Sequence, residues 1–468
     1  MSGINRFFTI IFGVALIVAI CAVASAQTFS SGSTGANGSF APPAPPQGQT
    51  VEVVLTLPPD GVFHFTTVTI PRGVKVTFIR NAKNTPAVIL ATGDIRIEGS
   101  ISVAGQPVPS QGSTYLYNST NYGGVGGPGG FNGGSGASAI YAPGDTSCDV
   151  SQLVGFTGDG PGGGAGAPIG PAINGVRKGG GGGGGGFFTA GQPGQASNQA
   201  AGGAGGERYG SPTLIPLIGG SGGGGSPGEC DSGPFSGYRR GAGGAGGGGA
   251  ILIASSTKII LDGPTGDSGY DQEQPVVDAR GGDVYTAWYS RGGAGSGGAI
   301  RLIANEITGQ GWISARGGRM TDLSNFPGGG NGGDGIIRLE TSKLTFAGKT
   351  LPQALYSLPG SADINAQPSL VITSVGGVAA PNPPVGSLQS NPDVTIPDNQ
   401  SNQTITMTTA KIPVGTRIRL TVVASDGSFS TVLSNPVTGA FDSGSATATV
   451  ILPTGMSLVR ASAIFVKP

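Results

Sequence analysis

Few positions in this chain combine side chains and spacings that are typical of metal or catalytic sites. The segment GGNGGDGII, residues 329–337, fits the calcium-binding nonapeptide GGxGxDxUx at every fixed position, with Asp334 as its carboxylate. In such repeats the ion lies between consecutive copies, and a lone carboxylate supplies too few charged oxygen ligands for strong binding. We find one copy, so this pattern alone does not establish a calcium site at Asp334.

The only histidine and one lysine motif are the other positions with a possible chemical role. His64 lies in the alternating segment VFHFTTV without a second histidine to join it, which favours a strand residue over a metal ligand or general base. The tripeptide GKT at 348–350 ends like a phosphate-binding loop, but Lys343 occupies the position that must be glycine. We therefore assign no catalytic residue, no metal ligand and no cofactor.

A repeated block of short strands organises the middle of the chain. The unit GGAIRLIANEITGQGWISARGG, residues 297–318, aligns with residues 86–105, 249–282 and 335–348. Short segments of period two, repeated as a block, are typical of a parallel β-solenoid in which each block is one coil. We align the apolar pairs that open the four blocks as Val88/Leu90, Ile251/Ile253, Ile300/Leu302 and Ile337/Leu339.

Burial requires these coils to stack, because one coil of roughly 20 residues cannot hide its own inward side chains. The positions between the apolar pairs are then expected to face outward, with the two arginines on a solvated face: Ile89, Leu252, Arg301 and Arg338. Each block closes on a glycine, where a sharp bend often requires a positive φ. We expect these glycines to stack at one corner: Gly99, Gly263, Gly311 and Gly348.

The N-terminus has the pattern of an export signal. Residues 1–26 contain Arg6, an apolar run and small residues before a cleavage site between Ala26 and Gln27. An uncleaved anchor helix is the alternative, because the run is near the lower limit for spanning a bilayer. Cleavage would leave no stable membrane anchor. Residues 27–50 are rich in Ser, Gly and Pro and are predicted to form a flexible linker.

The exported chain would retain two cysteines, Cys148 and Cys230. An even number in an exported protein predicts one disulfide. The chain has 25 Lys+Arg and 25 Asp+Glu, so its formal charge is zero. This balance argues against nucleic-acid or anionic-membrane binding, which needs a basic surface.

Glycine dominates the insertion from 105 to 249, which interrupts the solenoid predicted for residues 51–350. Ordering glycine costs much entropy, so a disordered loop is one interpretation. The other is a set of extended segments packed side by side against the solenoid, pinned by the disulfide and by apolar islands at 187–188, 209 and 214–218. Shorter insertions at 281–298 and 317–335 leave from the equivalent corner, so all insertions are expected on one face.

From residue 349 onward glycine becomes less frequent and turn signals separate short strands. We predict strands at 370–375, 394–396, 404–410, 417–425, 446–453 and 462–466. This spacing predicts an antiparallel β-sandwich at 368–468. The expected fold is therefore all-β: a parallel β-solenoid, or β-helix, with long glycine-rich insertions, followed by a β-sandwich.

The segments IRIEGSISVAG, GGAILIAS and GGAIRLIA, with long GGxGG tracts, resemble a group of exported glycine-rich bacterial proteins. These proteins are often called adhesin-like and have right-handed parallel β-helix, or pectin-lyase-like, cores. The resemblance covers about residues 51–348, and the C-terminal segment resembles immunoglobulin-like modules of bacterial surface proteins. It implies a secreted or cell-surface protein and offers no activity that could be assigned to particular residues.

Similar scaffolds include polysaccharide lyases and hydrolases, whose sites cluster carboxylates and bases on successive coils. The corresponding face here offers Arg301, Arg338 and the nearby Glu340, without a second carboxylate at an equivalent place. We therefore predict no enzyme, but an exported structural or adhesion protein that displays glycine-rich loops. The alternatives are a carbohydrate-active β-helix enzyme and a purely structural cell-envelope component.

Tyr285, Trp288 and Tyr289 are the candidate binding surface. Their aromatic faces could stack on sugars, or they could merely anchor their own loop against the solenoid. Glycine-rich loops would add many amide donors and acceptors but few charges. The expected partner is a neutral polysaccharide or a cell-envelope or matrix component.

Overall fold

The computed structural model describes residues 28–81, 83–108, 122–137, 154–231, 237–239, 241–263, 275–284, 292–320, 327–362, 368–382, 391–397, 402–424 and 429–463, with the backbone alone for 229–231, 237–239 and Phe429. Within these ranges all helical or extended elements of secondary structure are β-strands, and none is a helix, which confirms the all-β prediction. No helix among the described residues has the length and apolarity to cross a membrane. The cleavage site at Ala26 and Gln27 lies outside them.

The strands are β1 (Val51–Thr56), β2 (Val62–Phe65), β3 (Val68–Ile70), β4 (Val74–Ile79), β5 (Ala87–Ala91), β6 (Ile95–Ile97), β7 (Ser100–Ser102), β8 (Val176–Arg177), β9 (Glu229–Asp231), β10 (Gly237–Arg239), β11 (Ala250–Leu261), β12 (Val277–Asp278), β13 (Ala299–Gly309), β14 (Ile313–Ser314), β15 (Ile336–Phe346), β16 (Thr350–Leu351), β17 (Leu355–Ser357), β18 (Ser369–Val375), β19 (Val378–Ala379), β20 (Asn402–Ala410), β21 (Arg417–Ala424), β22 (Phe429–Pro436), β23 (Thr438–Ala440), β24 (Ser443–Ile451) and β25 (Ser457–Ala463).

Two parallel sheets share one apolar core. The eight-stranded central sheet follows the order β17-β15-β13-β11-β5-β2, with β3 and β6 paired alongside, and the six-stranded flanking sheet follows β1-β4-β7-β12-β14-β16. The chain returns repeatedly from one sheet to the other, so both contribute side chains to the space between them. That core includes Ile253 and Leu302 from the central sheet and Val76, Ile101 and Val277 from the flanking sheet.

The pairing register confirms the predicted alignment of three blocks and corrects the first. Ile251 pairs with Ile300, and Ile300 with Ile337, as predicted. In the first block, however, Ala87 and not Val88 pairs with Ile251. The predicted register there was wrong by one residue, because β5 is buried along its whole length and has no polar alternation to indicate which side faces the core.

The four corner glycines stack, but for a different reason from the predicted one. A Cβ atom on Gly263 would lie 3.0 Å from the carbonyl oxygen of Gly99, and one on Gly311 would lie 3.2 Å from the amide nitrogen of Gly263. A Cβ on Gly348 would collide with the carbonyl oxygen of Gly311. None of the four has a positive φ. Close approach of successive backbones therefore requires glycine at this corner.

The glycine-rich insertions form one hydrogen-bonded body, which we call the glycine bundle: residues 122–137, 154–170, 179–207, 219–228, 241–249, 279–284, 292–298, 315–320 and 327–335. Within residues 180–186, successive positions face three different neighbours in turn. The N–H groups of residues 180, 183 and 186 donate to the carbonyls of residues 168, 165 and 162. The N–H groups of residues 181 and 184 donate to the carbonyls of residues 195 and 192. The carbonyls of residues 182 and 185 accept from the N–H groups of residues 330 and 333. This period of three is the repeat of a polyproline II helix.

Packing on all sides explains why these segments are glycine. A Cβ atom on Gly183 would collide with the carbonyl oxygen of Ala204, on Gly184 with that of Asn331, and on Gly185 with that of Ser221. Each segment thus has other backbones at side-chain distance, and their hydrogen bonds offset the entropy lost on ordering. The disordered-loop interpretation is wrong for the described residues, which form extended segments packed side by side.

The apolar islands attach the bundle to the outer face of the central sheet. Phe187, Leu214 and Leu217 are buried against a cluster that includes Leu252 and Ile303. The central sheet is consequently buried on both faces, as parallel sheets usually are. The expectation that Ile89 faces outward was wrong, because Ile89 lies in the core between the two sheets. Leu252 does lie on the outer face, but it is buried there under the bundle.

The first part of the predicted linker is bound to the central sheet. The N–H of Phe29 donates to Asn305 Oδ1 (2.9 Å), and the N–H of Ser31 donates to Ser256 Oγ (3.0 Å). Phe40 bridges to Val68 and packs on the core. These contacts correct the flexible-linker interpretation for residues 29–40, which cover the edge that β2 and β3 would otherwise expose.

The C-terminal part consists of two antiparallel sheets around a separate core. Their orders are β19-β18-β20-β24-β23 and β22-β21-β25, and the core includes Ile405 and Met407 from one and Ile418 and Leu420 from the other. Residues 394–396, predicted as a strand, form none. The last strand starts at Ser457 instead of residue 462. The strand β22 was not predicted, because its sequence FSTVLSNP carries polar residues and ends on proline.

The backbone packing of the glycine bundle predicts a large difference between two Gly→Ala substitutions. Gly183→Ala should cost about 3 kcal/mol or more, since its Cβ meets backbone that cannot rotate away. Gly48→Ala should cost about 1 kcal/mol, because its Cβ has nothing within 4 Å and only its φ of +80° is unfavourable. Urea denaturation measures both. Equal costs would show that the packing of the bundle is described wrongly.

Candidate functional site

Residues from three insertions lie together at one end of the glycine bundle, which we call the insertion end. Val108, Val284 and Ala294 pack together there with Ala245. Val284 also bridges to Met320, so three separate insertions leave the bundle side by side. The predicted emergence of these insertions on one face is confirmed for the described residues that flank them.

A small antiparallel sheet, β10-β9-β8, forms part of this end. It starts with a tight hairpin in which Ile173 pairs with Val176 and the residues between them, Asn174 and Gly175, have φ values of 51° and 79°. Two positive φ values are typical of a type I′ turn, for which Asn-Gly is the preferred sequence. The side chain of Ile173 is exposed. The hairpin therefore presents an apolar residue to solvent.

Two acidic groups, Asp278 in β12 and Asp283 beside Val284, are neutralised by arginine. The Nε of Arg280 donates to Asp278 Oδ1 and its Nη2 to Oδ2, both at 3.0 Å. Asp283 pairs with Arg316 at 3.3 Å and accepts a hydrogen bond from the N–H of Arg319. These pairs leave neither carboxylate with a free charge, so Asp283 gives the insertion end little capacity for ionic recognition.

Most of the predicted site residues lie outside the described residues. The backbone of Cys230 lies in β9, between Arg177 and Tyr238, whereas Cys148 lies outside the described residues. The candidate binding residues Tyr285, Trp288 and Tyr289 also lie outside them. Their loop leaves the bundle after Val284 and re-enters it at Gly292, both at the insertion end.

His64 and Asp334 have structural partners. His64 is a residue of β2, as predicted, and its Nδ1 accepts a hydrogen bond from the N–H of Thr34 (3.2 Å). Asp334 Oδ1 accepts one from the N–H of Gly317 (2.9 Å). Among the described residues, no group of three or more His, Cys, Asp and Glu side chains could hold a metal ion.

Arg301 and Arg338 are not a solvated face, contrary to the sequence-based expectation. Arg301 is 4% exposed, and its Nε and Nη2 donate to the two carboxylate oxygens of Glu340 at 2.7 and 3.1 Å. Arg338 Nε donates to Glu340 Oε1 at 2.8 Å. Since Arg301 and Arg338 are directly paired across β13 and β15, their like charges need a carboxylate between them. That like-charge pair was the signal that sequence reasoning missed.

The cluster is satisfied on all sides. Glu340 Oε2 also accepts the N–H of Gly360, and Arg301 Nη2 donates to the carbonyl of Ser361. Burial tends to raise the pKa of Glu340, but the hydrogen bonds and charges of its partners outweigh it and hold that pKa below its usual value. Because its oxygens are engaged by arginines and backbone, the carboxylate is held as an anion and is poorly suited to proton transfer.

The buried pair predicts that Arg301→Ala is strongly destabilising. Removing the arginine leaves Glu340 buried with one cationic partner fewer, which should lower the free energy of unfolding by about 3 kcal/mol. Lys343→Ala is the control, because Lys343 is 65% exposed in its ion pair with Glu306 and should contribute less than about 1 kcal/mol. Denaturation curves compare the two; a similar small loss in both would contradict the role of the cluster.

The lowered pKa of Glu340 also predicts a pH dependence. Its ionised form contributes stability that is fully present above the unfolded-state pKa of about 4.3 and is lost as pH falls through the lower folded-state pKa. The stability difference between the wild type and Glu340→Gln should therefore shrink on acidification below that range. Thermal melts between neutral and acidic pH test this, and a difference for Glu340→Gln that is independent of pH would refute it.

Compared with models of known protein families, with curated proteins and with solved structures, the chain shows no match.

Proposed function

We propose that this chain is an exported, non-catalytic structural or adhesion protein, secreted or held at the cell surface after cleavage of its N-terminal signal. The observation that carries this proposal is the glycine bundle, whose hydrogen bonds hold the ends of separate insertions at one place. A rigid scaffold that presents variable segments at one end is a common arrangement for binding proteins.

The two parallel sheets are interpreted as faces of one β-solenoid of the right-handed β-helix type. Three features support this: the chain passes repeatedly between the sheets, equivalent residues pair from block to block, and the corner glycines stack. The C-terminal antiparallel sheets, with their shared core, are interpreted as an immunoglobulin-like sandwich.

The role of glycine in this proposal differs from the expectation drawn from the sequence. Amides of the bundle donate to carbonyls of neighbouring segments, so they are not free to bind a polymer. In this proposal the glycine segments form the scaffold. The scaffold presents the segments between them, which are richer in other residues. Tyr285, Trp288 and Tyr289 lie in one of these segments.

A neutral polysaccharide, or another cell-envelope or matrix component with little charge, remains the partner that fits best. The pairing of Asp283 with Arg316, beside Val284, supports this choice, because it neutralises that carboxylate. The exposed Ile173 adds apolar surface, which together with aromatic side chains suits the apolar faces of sugar rings.

The alternative of a carbohydrate-active enzyme has less support. A glycoside hydrolase needs a pair of carboxylates that can exchange protons with the substrate. Glu340 and Asp278, the buried carboxylates in the two parallel sheets, are both engaged by arginine. The second alternative, a purely structural envelope component, would retain the scaffold and bind no ligand.

A pull-down against neutral polysaccharides and cell-envelope preparations tests the proposal. We expect the purified protein to bind at least one preparation with little dependence on salt, and a Trp288→Ala/Tyr289→Ala variant to lose most of that binding. Tyr356→Ala is the matched control, since it removes an exposed aromatic from β17, far from these insertions in sequence. Strongly salt-sensitive binding of a neutral polysaccharide, or binding of it that the double substitution leaves unchanged, would contradict the proposal, and turnover of a glycan would favour the enzyme.

A further inference from the structure

A cavity of about 380 Å³ lies between the loop that joins β4 to β5 and the glycine bundle. Its lining includes Arg80, Asn81, Asn84, Phe131, Asn132 and Asp159. The size is in the range of cavities that bind small molecules. The lining is unusual for this chain, because it combines charged groups, carboxamides and an aromatic ring in a protein with few charged residues.

Two of the asparagines hold the walls in place. Asn84 Nδ2 donates to the carbonyl of Gly130 (2.8 Å), and its Oδ1 accepts the N–H of Gly129 (3.1 Å), which joins the loop to a turn of the bundle. Asn81 Nδ2 donates to the carbonyl of Pro58, and its Oδ1 accepts the N–H of Thr85. The cavity is therefore bounded by fixed backbone, a condition for binding without a large ordering cost.

The other polar groups of the lining are not all used. Asn132 Oδ1 accepts the N–H of Gly126, which leaves its amide N–H groups without a partner among the described residues. Arg80 is half-buried, and no residue in the described ranges forms a hydrogen bond or close ion pair with its guanidinium. A guanidinium that has lost part of its hydration without gaining an acceptor is unfavourable unless a ligand supplies one.

The charges around the cavity favour an anion. Asp159 pairs with Arg460 of the C-terminal part at 2.6 Å, and Arg460 also donates to the carbonyl of Thr157. The charge of Asp159 therefore acts on two arginines, Arg460 and Arg80, and one carboxylate for two guanidinium groups leaves a net positive charge. Burial lowers the pKa of Arg80, although the charge of Asp159 acts in the opposite direction. Burial raises the pKa of Asp159, although the charges of Arg460 and Arg80 act to lower it. Both directions are set by burial, which disfavours the charged form of each group.

We propose that this cavity binds one acidic sugar residue, a uronate, with its carboxylate on Arg80 and its hydroxyl groups on Asn132 and Asp159. A guanidinium matches a carboxylate with two parallel hydrogen bonds, while a carboxamide and a carboxylate suit hydroxyl donors and acceptors. Phe131 supplies an apolar surface for the ring. The inference rests on the proposed saccharide-binding function but places a second, charged site away from the insertion end.

Isothermal titration of the purified protein with an oligogalacturonate, and with a neutral galactose oligosaccharide of equal length, tests the inference. We expect the acidic oligosaccharide to bind and Arg80→Gln to weaken it at least about tenfold. Lys83→Gln is the matched control, because Lys83 is exposed, lies in the same loop and loses the same charge. Arg80→Gln removes no hydrogen bond in the described structure, so its thermal stability should match that of the wild type.

Three results would overturn the inference: no binding of the oligogalacturonate, equal binding of the neutral oligosaccharide, or the same affinity in Arg80→Gln and Lys83→Gln. The Trp288→Ala/Tyr289→Ala variant separates the two proposals. Binding that depends on Arg80 and persists in that variant supports the cavity alone. Glycan binding that this variant abolishes and Arg80→Gln leaves intact refutes the cavity site while the proposed function stands.

Discussion

Backbone amides buried without water must find carbonyl partners, and in this protein many of them find those partners on neighbouring glycine segments. In a polyproline II segment, every third residue faces the same neighbour, so one segment can form hydrogen bonds with several others. The segments can approach closely enough only where the residues have no Cβ atom. Gly183, Gly184 and Gly185, consecutive in sequence, each abut a different segment. This constraint accounts for the glycine content and for the order of an insertion that would otherwise resemble a free loop.

The central sheet and the glycine bundle depend on each other for the burial of their apolar side chains. One face of the sheet packs on the core that it shares with the flanking sheet, and the other is covered by Phe187, Leu214 and Leu217. Buried polar residues of the central sheet have partners: Arg301 pairs with Glu340, and the hydroxyl groups of Ser255 and Thr341 donate to backbone carbonyls. A buried charge with its partners present is tolerated, and loss of one partner is costly.

Two regions of the chain differ in the ligand chemistry that they could support. At the insertion end, Asp283 is matched by Arg316, so recognition would not rely on that carboxylate. In the cavity beside β4, Arg80 has a charge without a partner among the described residues. A protein with equal numbers of acidic and basic residues can thus combine a neutral surface with a local positive site, because net charge says little about local distribution.

The sequence by itself determined the repeated block, the strand pairs Ile251–Ile300–Ile337, the stacked glycine corner and the apolar islands that anchor the bundle, because each follows from local periodicity or from burial. It could not place β5 in register, since AVILA is apolar on both faces. Nor could it show that Arg301 is buried or that residues 29–40 bind the sheet, because both depend on groups distant in the chain, Glu340 and Asn305 among them. Only the tertiary structure brings those partners together, and long-range contacts of this kind decide whether an arginine or a serine-rich segment is buried or solvated.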